Sequence, residues 1–209
     1  MGEGRLSGAL AHLRYSGLPQ AAQEAAFLDI TWSDKLVRAA LERARDMDLP
    51  DWWLVSGALY NSVWNHLTSR PSGHGIKDID LFYFDDSDLS YGAEDAVIKR
   101  GEAVFADVSL PVEIRNQARV HLWYEKHFGV PCPRFENCSE SISRFASKTH
   151  AVGVKLNKDG SFQLEAPFGL DSIFSFRLTP NHAGDNRATH HAKAERQMKL
   201  WPELTLEPW

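Results

Sequence analysis

The chain has 209 residues, of which 43% are hydrophobic and 11% aromatic, enough to bury a substantial core, and this excludes global disorder. A formal charge of −5 excludes a general pull toward nucleic acid or anionic membrane, leaving room only for a local basic patch. No apolar run approaches the roughly 20 residues that span a bilayer. The first residues lack the apolar centre of a signal peptide, and Leu6 stands where a myristoylation pattern requires Ser or Thr. A soluble cytoplasmic protein is expected. Its two cysteines, Cys132 and Cys138, are expected to be reduced thiols, because their C-x5-C spacing matches no zinc site.

Residues 20–48 carry a helical period, with Leu36, Val37, Ala40, Leu41 and Ala44 recurring at three- and four-residue steps. Ser33 is the expected N-cap and Pro50 the stop. "DWWLVSG" predicts a short buried strand halted at Gly57, and "ALYNSVWNHL" a helix with Leu59, Val63 and Leu67 on one face. "TSRPSGHG" is a loop of turn residues. Residues 77–84 read as a strand, "AEDAVIKRGEAVFAD" as a helix and "LPVEIRNQ" as a third strand with Val112 and Ile114 on one face and Glu113 and Arg115 on the other. Residues 118–128 and "SESISRFAS" read as helical, and Asn116 is an expected helix cap.

"HAVGVKLNKDGSFQLEA" predicts a hairpin turning at Asn157-Lys158-Asp159-Gly160. "PFGLDSIFSFRLTPN" is apolar without a clear period. Residues 187–201 predict a basic helix ended by Pro202, read as a solvated amphipathic helix in preference to a nucleic-acid patch. His182, His190 and His191 are expected to be solvated. The organisation expected is a helical segment over 1–50 packed on a domain over 51–181, then a helical tail over 182–209. Alternating helices and strands predict an α+β fold with a mixed sheet flanked by helices and a hairpin extension toward the C-terminus.

The chemistry concentrates around "KDIDLFYFDD". Asp78 and Asp80 share one strand face, about 6–7 Å apart by the strand rise. Like charges on a half-buried surface repel each other and resist desolvation, which a bound cation relieves. Glu113 adds a third acid on the next strand. Upstream, the turn Val55-Ser56-Gly57-Ala58 opens a helix, where unpaired backbone N–H groups favour phosphate. Three carboxylates beside a phosphate cradle suit a hard divalent cation carrying a polyphosphate. An isolated Asp-x-Asp is ordinarily a solvated strand face, but the apolar flanks here argue against that.

With those residues placed, the chain resembles the nucleotidyltransferase superfamily that includes DNA polymerase beta and the tRNA CCA-adding enzymes. It looks closest to a bacterial nucleotidyltransferase-like branch long catalogued as a domain of unknown function. The blocks that carry the likeness lie between Trp52 and Asn181: "WWLVSGALYNSVWNHL", "KDIDLFYFDD", "VEIRNQARVHLWYEKHFG" and "AVGVKLNKDGSFQLEAPFGLDSIFSFRLTPN". The resemblance implies a polymerase beta-type fold and transfer of a nucleoside monophosphate from an NTP, ATP among them, to an unidentified acceptor with release of pyrophosphate. It implies two Mg²⁺ or Mn²⁺ ions, held by Asp78 and Asp80, with Glu113 on the ion beside the attacking hydroxyl.

By position, Gly57 is the motif glycine and Ala58 stands where Ser or Gly is usual, with Ser56 as a substitute hydroxyl. Lys77, Arg115 and Arg70 are candidates for phosphate, although Arg115 could instead pair with Glu113. Tyr60 and Trp64, one turn apart beside the phosphate turn, could stack a base, but large aromatics are usually core. The loop through Arg70 and Gly75 is longer than the superfamily pattern. Two other readings remain open on the sequence: a nucleotide-binding regulatory module without turnover, and a metal-dependent phosphohydrolase.

Overall fold

The computed structural model describes residues 8–209. After a 3-10 turn at Gly8–Leu13, helices α1 (Gln20–Ser33) and α2 (Lys35–Met47) follow one another with a break at Asp34. The expected single cap at Ser33 is corrected here. The Asp34 carboxylate accepts hydrogen bonds from the Leu36 and Val37 amides at 2.9 and 3.3 Å, while the Ser33 hydroxyl donates back to the Ile30 carbonyl at 2.8 Å. Both residue types cap helices, and the carboxylate does so for two orphan donors at once.

A central five-stranded sheet has the order β3-β2-β1-β4-β5. Strand β1 (Trp53–Val55) lies antiparallel to both neighbours, β2 (Ile79–Tyr83) and β4 (Gly153–Leu156). Helix α3 (Gly57–Leu67) joins β1 to the loop before β2, and helix α4 (Tyr91–Val104) carries the chain across to β3 (Val112–Asn116), which runs parallel to β2. The expected hairpin is β4 and β5 (Phe162–Glu165), and it extends the sheet past β1. The sheet is therefore mixed and flanked by helices. Asn116 caps the 3-10 turn at Gln117–Leu122 by accepting from the Ala118 amide at 3.1 Å, and short helices α5 (Tyr124–Phe128) and α6 (Cys138–Ile142) follow. Cys132 and Cys138 are free thiols.

The segment without a clear period resolves into helix α7 (Asp171–Phe174) and strand β6 (Arg177–Leu178). Helix α8 (Arg187–Leu200) ends just before Pro202, and strand β7 (Thr205–Leu206) returns to pair in parallel with β6. One cluster of buried side chains draws on Phe27 of α1, Leu41 of α2, Leu81 of β2, Ile114 of β3, Phe174 of α7 and Trp201 after α8. The far side of β1 carries a smaller cluster in which Trp53 and Val55 meet Cys138 and Ile142.

Two expectations about the C-terminal part change with this packing. Helix α8 is docked rather than solvated, with Ala194 and Gln197 buried. His190 is buried as well, its Nδ1 hydrogen-bonded to the Ser147 hydroxyl at 2.6 Å, while His182 remains exposed. No helix among the described residues is long and apolar enough to cross a membrane.

Candidate functional site

Strand β2 alternates buried and half-buried positions, sending Ile79, Leu81 and Tyr83 into the core and Asp80 and Phe82 to the opposite face. The parallel register sets Asp80 directly across from Glu113, and the antiparallel register sets it across from Val55 at the end of β1. Val55 leads straight into the Ser56-Gly57 turn, so sheet pairing alone brings the acid strand beside the start of α3. A cleft of about 200 Å³ opens there, lined among others by Ser56, Gly57, Asn61, Lys77, Asp78 and Asp80.

The turn itself is strained. Ser56 has φ 57° and ψ −115°, a region that glycine occupies freely and an L residue rarely does. Its amide donates to the Val152 carbonyl of the neighbouring segment at 2.9 Å, which holds the turn in place. No side chain caps α3, and its first residue, Gly57, lines the cleft. Gly57 has no atom within 3.4 Å of where a Cβ would stand, the nearest being Asn61 Nδ2 and the Tyr60 hydroxyl at 3.9 Å. Asn61 is buried, and its Oδ1 has no hydrogen-bond partner. An unpartnered acceptor in a buried wall is a costly arrangement unless a ligand's donor or a cation completes it.

Burial, followed by the charges of Asp78 and Glu113, pushes the Asp80 carboxyl up to about 6, with Lys193 and Arg115 pulling the other way. The amino group of Lys193 is held below its ordinary value by burial, against the opposing pull of Asp80 and Asp78. Lys193 and Arg196 of α8 line the same cleft. The cleft thus sets two carboxylates against three cationic groups, Lys77 being the third. It offers complementary surfaces to a cation and to an anion within one volume.

Of the residues expected at the site, Ser56, Gly57, Lys77, Asp78 and Asp80 meet at the cleft, and three do not line it. Ala58 is fully buried under the turn. Glu113 is exposed and pairs with Arg115 at 3.5 Å, and both stay outside the lining although the sheet places Glu113 beside Asp80. Among the described residues no group of three or more His, Cys, Asp or Glu side chains converges to hold a metal ion. The donor set that does fit a divalent cation is the Asp78–Asp80 pair, whose repulsion and desolvation a cation would offset.

One further expectation is corrected. Arg70 does not line the cleft and makes a two-pronged ion pair with Glu203 at 3.0 and 3.1 Å. Tyr60 and Trp64 are core residues, as large aromatics usually are, 1% and 0% exposed, although Tyr60 borders the cleft. Asn61, Lys193 and Arg196 were not anticipated. Only the spacing of Lys193, Arg196 and Gln197 along one helical face carried a signal for the last two.

A family model described as nucleotidyltransferase matches residues 42–206. A solved structure described as revealing a CCA-adding enzyme head domain superposes with a TM-score of 0.71 at 24% identity, covering 91% of this chain and 97% of that one. That likeness establishes the shared fold. Among curated proteins no sequence matches.

Proposed function

The chain belongs to the nucleotidyltransferase family, and from that membership we propose that it transfers a nucleoside monophosphate from an NTP to an acceptor hydroxyl, with pyrophosphate leaving. The observation that carries the proposal is the meeting, in one cleft, of the uncapped start of α3 with the half-buried Asp78–Asp80 pair. The first is suited to phosphate and the second to a cation.

In this reading the Ser56–Gly57 turn receives the phosphates against the leading amides of α3, and the Ser56 hydroxyl and Lys77 add donors. Asp78 and Asp80 would hold Mg²⁺ or Mn²⁺, which would supply the charge neutralisation that in-line attack on a polyphosphate needs. Glu113, carried beside Asp80 by the sheet, accepts the proton of the attacking hydroxyl once Arg115 releases it. The residues act mainly by positioning and charge. A cytoplasmic setting, where NTPs are abundant, completes the proposal. The formal charge of −5 favours a small-molecule or protein acceptor over a long nucleic acid.

Incubation with each of the four NTPs and Mg²⁺, across a panel of acceptors, tests this. Pyrophosphate should accumulate with the parent protein and not with Asp80→Asn. Orthophosphate in its place would indicate a phosphohydrolase. The ion pair that engages Glu113 favours one second reading, a nucleotide-binding module without turnover. Calorimetry separates the two, because a module would bind NTP equally well after Asp80→Asn.

A further inference from the structure

We infer that helix α8 is a wall of the nucleotide site and that Lys193 and Arg196 form a clamp for the β- and γ-phosphates, the part of the substrate that leaves as pyrophosphate. The inference rests on the proposed nucleotide site and deepens it.

Lys193, Arg196 and Gln197 stand at i, i+3 and i+4 and share one face of α8. That face is anchored. Gln197 is buried, donating through Nε2 to the Tyr60 hydroxyl at 2.9 Å and meeting His150 Nε2 through its Oε1 at 3.0 Å. His150 stacks on the Tyr60 ring at 4.7 Å, and burial keeps its imidazole neutral by holding it well below its ordinary value. One turn before Lys193, His190 is bonded to Ser147. At the far end Trp201 is fully buried and donates through Nε1 to Asn65 Oδ1 at 3.1 Å. These bonds fix α8 to α3 and to the β4 side of the sheet, so Lys193 and Arg196 are held at the cleft rather than swept there by a flexible tail.

Their chemistry suits a polyphosphate. The α3 terminus and the acid pair account for one phosphate and one cation, leaving a triphosphate with further anionic oxygens to satisfy. Two cations on the opposite wall meet that requirement. The unpartnered Asn61 Oδ1 lies in the α3 wall across from them and, being an acceptor, suits a cation or a ligand hydroxyl and not a phosphate oxygen. Without ligand, Lys193 lines the same cleft as the Asp78–Asp80 pair and supplies positive charge there. With that pair neutralised by a divalent cation, Lys193 would be free to engage phosphate.

The test measures inorganic tripolyphosphate binding at saturating Mg²⁺ by calorimetry, and Mn²⁺ binding without nucleotide by electron paramagnetic resonance. Lys193→Met and Arg196→Met should each weaken tripolyphosphate by about tenfold, the usual size of a lost charged hydrogen bond. Lys193→Arg should retain most of it, and Lys199→Met, on the exposed face, should change nothing. Lys193→Met should bind Mn²⁺ more tightly than the parent, because the competing ammonium is gone. A merely structural role would instead weaken both ligands together.

The inference is overturned if the parent fails to bind tripolyphosphate, if the two Met variants bind it as the parent does, or if Lys193→Met loses both ligands. Pyrophosphate release from NTP in the same preparations separates this from the proposed activity. Turnover with unchanged tripolyphosphate affinity sinks the clamp alone. A working clamp with no pyrophosphate release from any NTP sinks the transferase reading alone.

Discussion

Ser56 holds a backbone conformation that suits glycine, and its place in the lining of the cleft ties that strain to ligand approach. Ser56→Gly should relax the backbone and exceed Ser56→Ala in stability by about 1–2 kcal/mol in urea unfolding, since both lose the hydroxyl and only one loses the strain. Equal stability of the two would remove the strain argument. Asp80 makes a second, pH-dependent prediction. Its carboxyl holds a proton up to about 6 when folded, against an ordinary value of 3.8, so it stabilises the fold below the ordinary value and that contribution disappears as pH rises through the folded one. Metal-free parent protein should therefore lose roughly 3 kcal/mol through this group between about pH 4 and about pH 7. Asp80→Asn should be more stable than the parent at about pH 7.5, with the gap closing near pH 4. A gap that does not change with pH would contradict the account of a desolvated, like-charged pair. Asp78 and Asp80 were legible in the sequence because acids alternating within an apolar strand have no cheap structural excuse. Lys193 and Arg196 were not, because a basic helical face looks the same whether it meets water or an acidic cleft.

The extra loop between α3 and β2 is welded to the segment after α8. Gly75 has φ +71°, and a Cβ there would stand 2.3 Å from Trp201 Cη2. Asn65 bridges the two, accepting from the Trp201 indole and donating to the His74 carbonyl at 2.9 Å, and Arg70 pairs with Glu203. Gly75→Ala should thus cost about 1–3 kcal/mol by overpacking and by a strained φ. It should also weaken nucleotide binding, because Gly75, Ile76 and Lys77 line the cleft. Thermal melting with and without nucleotide checks both effects, and a variant as stable as its parent would deny the contact. Element types were readable from periodicity, including the hairpin and the helix ended by Pro202. The residue that caps α2 was not, because Ser33 and Asp34 are both capable caps and only packing selects between them. Strands β6 and β7 are too short to show a period at all.

Across the protein, β1 is the pivot. It pairs with β2 on one side, which carries the acids, and with β4 on the other, and it delivers the chain into the phosphate turn. The sequence indicated a mixed sheet and the acid pair within it, because strand alternation is a local property. It overstated the convergence of Glu113. Register brings Glu113 opposite Asp80, but an exposed side chain with a cation two residues away follows Arg115. The role of the C-terminal helix depends on contacts between residues far apart in the chain, which periodicity does not encode. Everything functional rests on the Asp78–Asp80 pair receiving a cation beside phosphates lodged at the start of α3. The most direct test is a crystal structure with Mn²⁺ and a non-hydrolysable NTP analogue, read by anomalous scattering. A manganese peak between the two carboxylates, with the triphosphate running from the Ser56–Gly57 turn toward α8, is the predicted result. Nucleotide bound elsewhere, or no manganese at the pair, would contradict it.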